Sequence, residues 1–180
     1  MFRKLLLACV LSGCSAVVPA TVAVLAKGDP LTADPGDYRF FVHLPEGLEL
    51  APGMARLEIE STYGDLHVED SFQLRQDKTA AGTELFVDPA DIPAMRRLQT
   101  TVSAWEAESP EGNSGSLSVF VGVCTSGAGP DPEAPVSISV SIRGGVVMPL
   151  MRPLPAQRYI DRIEADAGQP IGPCRVAPAD

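Results

Sequence analysis

Apolar and polar residues alternate with a period of two over much of the chain, and this spacing predicts strands. In "YRFFVHL" the residues Tyr38, Phe40, Val42 and Leu44 share one face, with Arg39, Phe41 and His43 on the other. "PEGLELAPG" is a turn-rich link in which Leu48 and Leu50 mark a short candidate strand. "ARLEIEST" sets Ala55, Leu57 and Ile59 against Arg56, Glu58 and Glu60. "LHVEDSFQLRQ" offers Leu66 and Val68, then Phe72 and Leu74, and the polar interruption at Asp70-Ser71 predicts a bulge or a break. "TELFVD" contributes Leu85 and Val87. Nearer the C-terminus, "GSLSVFVGVC" places Leu117, Val119, Val121 and Val123 on one face. "VSISVSIR" does the same with Val136, Ile138, Val140 and Ile142. Serines fill the opposite faces, the pattern of antiparallel strands with one wet side. "GGVVMPLM" is a candidate further strand, and "AQRYIDRIEAD" fits a short helix or a strand.

One segment changes period. Ile92, Met95, Leu98, Val102 and Trp105 recur at steps of three and four, which predicts an amphipathic helix over about 91–108. Asp91 is placed to cap it, Pro93 is tolerated in a first turn, and Pro110 and Gly112 stop it. Its apolar stripe is expected to pack on the sheet. "GNSGS" (112–116) is expected to be the loop that closes this helix. The order is strands, one helix, then more strands. It predicts a mainly β domain: a two-layer antiparallel β-sandwich-like fold with one crossover helix. The alternative is an α+β fold with a single sheet covered by that helix.

Composition agrees with a turn-rich β protein. The chain has 180 residues, among them 17 prolines and 16 glycines. A net charge of −9 repels the phosphate backbone and argues against nucleic-acid partners.

The N-terminus reads differently. Arg3 and Lys4 precede the apolar run "LLLACVL", followed by Leu11-Ser12-Gly13-Cys14. These four residues resemble the lipobox of bacterial lipoproteins: an aliphatic residue, two small residues and a cysteine. The resemblance covers about the first 14 residues and says nothing of the folded domain. It implies a signal peptide over 1–13, cleavage between Gly13 and Cys14, and a diacylglyceryl group on the Cys14 thiol, with the freed amine open to acylation. Two or three acyl chains make a stable membrane anchor, at roughly 0.8 kcal/mol per buried methylene. Ser15 in place of the retention-type Asp points to the outer membrane, facing the periplasm. Two other fates stay open. The apolar character continues to Ala26, long enough for an uncleaved anchor helix, although Pro19 interrupts it. Alternatively, ordinary signal cleavage follows Ala20, Ala23 or Ala26. All three place the domain outside the cytoplasm. The expected organisation is 1–13 signal peptide, 14–36 lipidated N-terminus and tether with a possible short helix, and 37–180 a single β-rich domain.

Export gives the cysteines meaning. Cys9 leaves with the signal and Cys14 takes lipid, so Cys124 and Cys174 remain as an even pair in an oxidising compartment, and a disulfide between them is expected. A zinc site would need more ligands than His43 and His67 supply. Hydrolase, phosphate-loop and dinucleotide motifs are missing from the sequence. His43 and His67 lie on the polar faces of their strands, and Asp65, Glu69 and Asp70 cluster near one turn without calcium-loop spacing. The expectation is therefore no catalytic residue, no metal and no cofactor. The chain is expected to be a non-enzymatic binding, assembly or scaffold module, with an envelope protein as its possible partner. The rival is a tethered hydrolase, which would need His43 or His67 beside a carboxylate in a cleft.

Overall fold

The computed structural model describes residues 32–79, 82–108, 113–142 and 144–174. Seven strands make one antiparallel sheet: β1 (Tyr38–His43), β2 (Leu48–Tyr63), β3 (Leu66–Thr79), β4 (Gly82–Val87), β5 (Asn113–Thr125), β6 (Pro135–Ile142) and β7 (Met148–Pro155). Helix α1 (Ile92–Glu108) follows β4, and helix α2 (Ala156–Ala167) follows β7. The strand order is β5-β2-β3-β4-β1-β6-β7, so β5 and β7 are the edges. α1 carries the chain from β4 past β3 and β2 to the β5 edge. The mainly β antiparallel fold with a helix near 91–108 is what the alternation predicts.

The sheet curls, and the curl supplies the second layer. Val121 of β5 shares one buried cluster with Ile138 and Val140 of β6, although four strands lie between β5 and β6 in the order. Tyr38, Phe40, Leu57, Phe72, Leu85 and Met95 are fully buried at its centre. They come from β1, β2, β3, β4 and α1, each at the period its element demands. Met95, Leu98 and Val102 are the buried part of the predicted helical stripe. A second cluster joins Leu48 and Val123 to Val136 and to Ala156, Tyr159 and Ile160 of α2. "AQRYIDRIEAD" is thus helical, and it plugs the end of the curl where β2 and β5 meet β6.

Four local readings change. β3 runs through Asp70-Ser71 without a shift, paired continuously from Tyr63↔Leu66 to Arg56↔Gln73. Leu66, Val68, Phe72 and Leu74 share a parity, and Asp70 is an exposed member of that row whose carboxylate accepts the Ser71 N–H. Asn113–Ser116 opens β5 and pairs with β2 rather than forming a loop. Asp91 spends its carboxylate on the backbone N–H of Gln73, at 2.7 Å, tying the start of α1 to β3. The packed domain also reaches back beyond the boundary set at 37. Ala33 and Pro35 are buried, Gln99 donates to the Ala33 carbonyl at 3.0 Å, and Arg96 pairs with Asp34. The rest of the predicted tether, and the signal segment, lie outside the described residues.

Candidate functional site

The most distinctive surface is a fork in the sheet. From Ala55 to Tyr63, β2 pairs with β5, and over most of that length it pairs with β3 as well. Between the pairs Leu50↔Val123 and Ala55↔Val121, β2 inserts Ala51, Pro52, Gly53 and Met54 opposite Gly122 alone. Pro52 removes a donor and Gly53 takes a positive φ of 70°, so this stretch swings out of the ladder. Met54 folds back over Gly122, where a Cβ would lie 2.6 Å from the Met54 Cβ. Only glycine fits there.

Beyond Gln73, β3 leaves β2 and follows β4 to Thr79. The divergence opens a cleft of about 280 Å³ between Leu50 and Pro52 on one wall and Gln76 and Lys78 on the other, with Val42 and Leu44 below. The Cys124–Cys174 bridge forms its end. Glu49, Gln76, Lys78 and Thr83 line it beside the apolar side chains, so it carries one charge of each sign, and two parted strands suit an extended segment better than a reacting small molecule.

The disulfide Cys124–Cys174 spans 50 residues with its Cα atoms 4.8 Å apart. It anchors the C-terminal segment beside β5. Thr125 donates to the Gly172 carbonyl at 3.0 Å, and Cys174 donates to the Thr125 carbonyl at 2.8 Å. Nearby, the Tyr159 hydroxyl donates to the Val121 carbonyl at 3.1 Å. Burial pushes the Tyr159 phenol up to about 12.

The histidines stand apart from the cleft. His43 is exposed at the end of β1. His67 is half exposed on the open face of β3, with Thr62 Oγ1 at 3.3 Å, Glu60 at 4.0 Å and Glu69 at 3.9 Å. Hydroxyl, imidazole and carboxylate are therefore neighbours, but water bathes all of them. Nothing in that geometry fixes a substrate carbonyl or excludes solvent from one. Asp65 is exposed in the β2–β3 turn, and Glu69 and Asp70 are exposed on β3. Among the described residues no group of three His, Cys, Asp or Glu side chains is placed to hold a metal ion, and no helix is long and apolar enough to cross a membrane.

Gly13 and Cys14 lie outside the described residues, so their chemistry stays a sequence expectation. The fork was missed by sequence reasoning. Its signal was Pro52-Gly53 between two alternating runs, which reads as a turn between two strands, whereas β2 passes through it and bulges. The chain matches no protein-family model, and no curated protein or solved structure is significantly similar to it.

Proposed function

We propose that this chain is a membrane-anchored envelope lipoprotein whose folded domain is a non-enzymatic binding or assembly module. The observation that carries the anchor is Leu11-Ser12-Gly13-Cys14 directly after a basic, apolar leader. The Cys124–Cys174 bridge supports export, whichever way the N-terminus is processed, since such bonds persist in oxidising compartments. The exposed setting of His43 and His67 weighs against the tethered-hydrolase alternative. The fork cleft, open between β2 and β3 where their pairing ends at Gln73, supports binding of an extended segment.

The anchor is tested by Cys14→Ala in the full chain, with membrane fractionation and fatty-acid labelling. The expected result is label on the wild type only, and release of the variant from the membrane or arrest of its processing. An unlabelled wild type that stays in the membrane points instead to an uncleaved helix over 5–26. An unlabelled wild type in the soluble fraction points to simple export. Either result overturns the lipoprotein reading.

A further inference from the structure

The two edges of the sheet are built differently. β7 carries Pro149, Pro153 and Pro155, which lack N–H groups, and the charged Arg152. These are the usual means of preventing a strand from pairing with another chain. β5 has none of them. Its 13 residues, Asn113–Thr125, include no proline and no charge, on a chain of net charge −9.

Part of the β5 edge is already used. The Val121 carbonyl takes the Tyr159 hydroxyl, and Thr125 bonds the Gly172–Cys174 segment. These bonds fix which residues point away from β2. In an antiparallel ladder the N–H and C=O of one residue point to the same side, and successive residues alternate. Val121 and Thr125 point outward, so Gly115, Leu117 and Val119 do too, because the register from Asn113 to Val121 has no shift. The backbone groups of these three residues meet no partner among the described residues. Beside them Leu117 and Val119 are only partly buried, and Phe120 is 37% exposed.

We propose that this edge is a self-association surface, where two copies of the chain pair β5 to β5, antiparallel, about a two-fold axis at Leu117. The register is self-complementary. Leu117 faces its own copy, Gly115 faces Val119, and about six backbone hydrogen bonds form. Ser116 faces Ser118 and Ser114 faces Phe120, so no like charges meet. The acidic residues of β2, Glu58 and Glu60, stay one strand back on each side, so those of the two copies lie roughly 14 Å apart at ordinary strand spacing, beyond the Debye length at physiological salt. A second copy is favoured over an acidic or basic foreign segment because the strand offers no charge to recognise one. The inference is independent of how the N-terminus is processed.

The test uses the full chain in detergent, followed by sedimentation equilibrium over a wide range of concentration. The wild type is expected to dimerise reversibly. In the double variant Ser116→Lys/Ser118→Lys, lysine meets lysine twice across the axis, while within one copy each new cation lies opposite Glu60 or Glu58. It should weaken dimerisation on the order of tenfold. Ser116→Glu/Ser118→Lys puts opposite charges across the axis and should dimerise at least as well as the wild type. Circular dichroism checks that both fold. In membranes, a copy carrying Ser116→Cys should cross-link to a copy carrying Ser118→Cys, and not to one carrying Asp77→Cys on β3. A monomeric wild type overturns the proposal, as does a dimer indifferent to the lysine pair.

Discussion

Removing the disulfide by Cys124→Ser/Cys174→Ser tests how the C-terminal third is held. The bridge closes a loop spanning 50 residues that contains β6, β7 and α2. The chain-entropy relation for a loop of that length gives about 4 kcal/mol of stabilisation, acting through the unfolded state. Locally the folded state should change little. Thr125 keeps its bonds to Gly172 and Cys174 through the backbone, and the Ile171 N–H still donates to Glu164. The serine at 124 enters a buried site, as Cys124 is 7% exposed, and its hydroxyl adds a small cost of its own. The expected loss is therefore about 3–5 kcal/mol, a large share of a typical domain's stability. Urea unfolding followed by circular dichroism measures it. The m-value should also rise, because the uncrosslinked unfolded chain exposes more surface. Equal midpoints and equal m-values for wild type and variant would refute the reasoning, and would mean that α2 packing alone fixes this end.

Other outcomes follow from single contacts. Tyr159→Phe removes the hydroxyl bond from α2 to β5 and should cost about 1 kcal/mol by urea unfolding. The wild type should also lose stability as pH rises from about 10 toward 12: the folded phenol sits at about 12 against an ordinary 10.0, so the neutral form is favoured by folding, fully below the ordinary value and no longer above the folded one. Absorbance titration of the phenolates should lose a late-titrating component in Tyr159→Phe. Gly47→Ala should destabilise strongly, since position 47 has φ 87° and a Cβ there would lie 2.3 Å from the Gly129 backbone; thermal unfolding reads it, and a Tm unchanged from wild type would contradict this packing. Phe72→Ala should cost about 3–5 kcal/mol, because its ring is fully buried where β3 meets the core. The Asp34 carboxyl titrates below its ordinary 3.8, first because the Gly36 N–H donates to it and next because Arg96 does; Arg96→Gln should raise it only part of the way in an NMR titration.

What the sequence could convey follows from what alternation encodes. A period of two fixes which side chains face the core, and those assignments hold for Phe40, Leu57, Leu85, Val123 and Val140. The period of α1 works the same way for Met95, Leu98 and Val102. Alternation does not encode where a strand continues. β2 carries Pro52-Gly53 inside one 16-residue strand, and only its register against β5 shows a bulge rather than an end. The run at 156–167 is too short for sequence alone to choose between strand and helix, although Tyr159, Ile160 and Ile163 are spaced for one face of a helix, and that face packs against Leu48, Val123 and Val136. Asp91 shows a similar limit. Its type suits a helix cap, but a neighbouring strand offered the Gln73 N–H instead.

Alternation also does not say which strand lies beside which. "GSLSVFVGVC" and "VSISVSIR" have nearly the same pattern, serines on one face and branched apolar residues on the other. Yet β6 lies inside the sheet between β1 and β7, whereas β5 lies at its rim. An uncharged strand is harmless in the interior, because both of its rows of backbone groups are paired. At the rim the same composition leaves one row open, and other chains can pair with it. β5 narrows that opening by giving Val121 to Tyr159 and Thr125 to the C-terminal segment, which leaves Gly115, Leu117 and Val119 as a run of outward residues without a partner among the described residues. The disulfide reinforces the closed end of this edge, which the backbone bonds of Thr125 and the Tyr159 hydroxyl on Val121 already cover. The run of open residues therefore ends at Val119 with or without the bridge, and association at this edge should keep its short register in Cys124→Ser/Cys174→Ser.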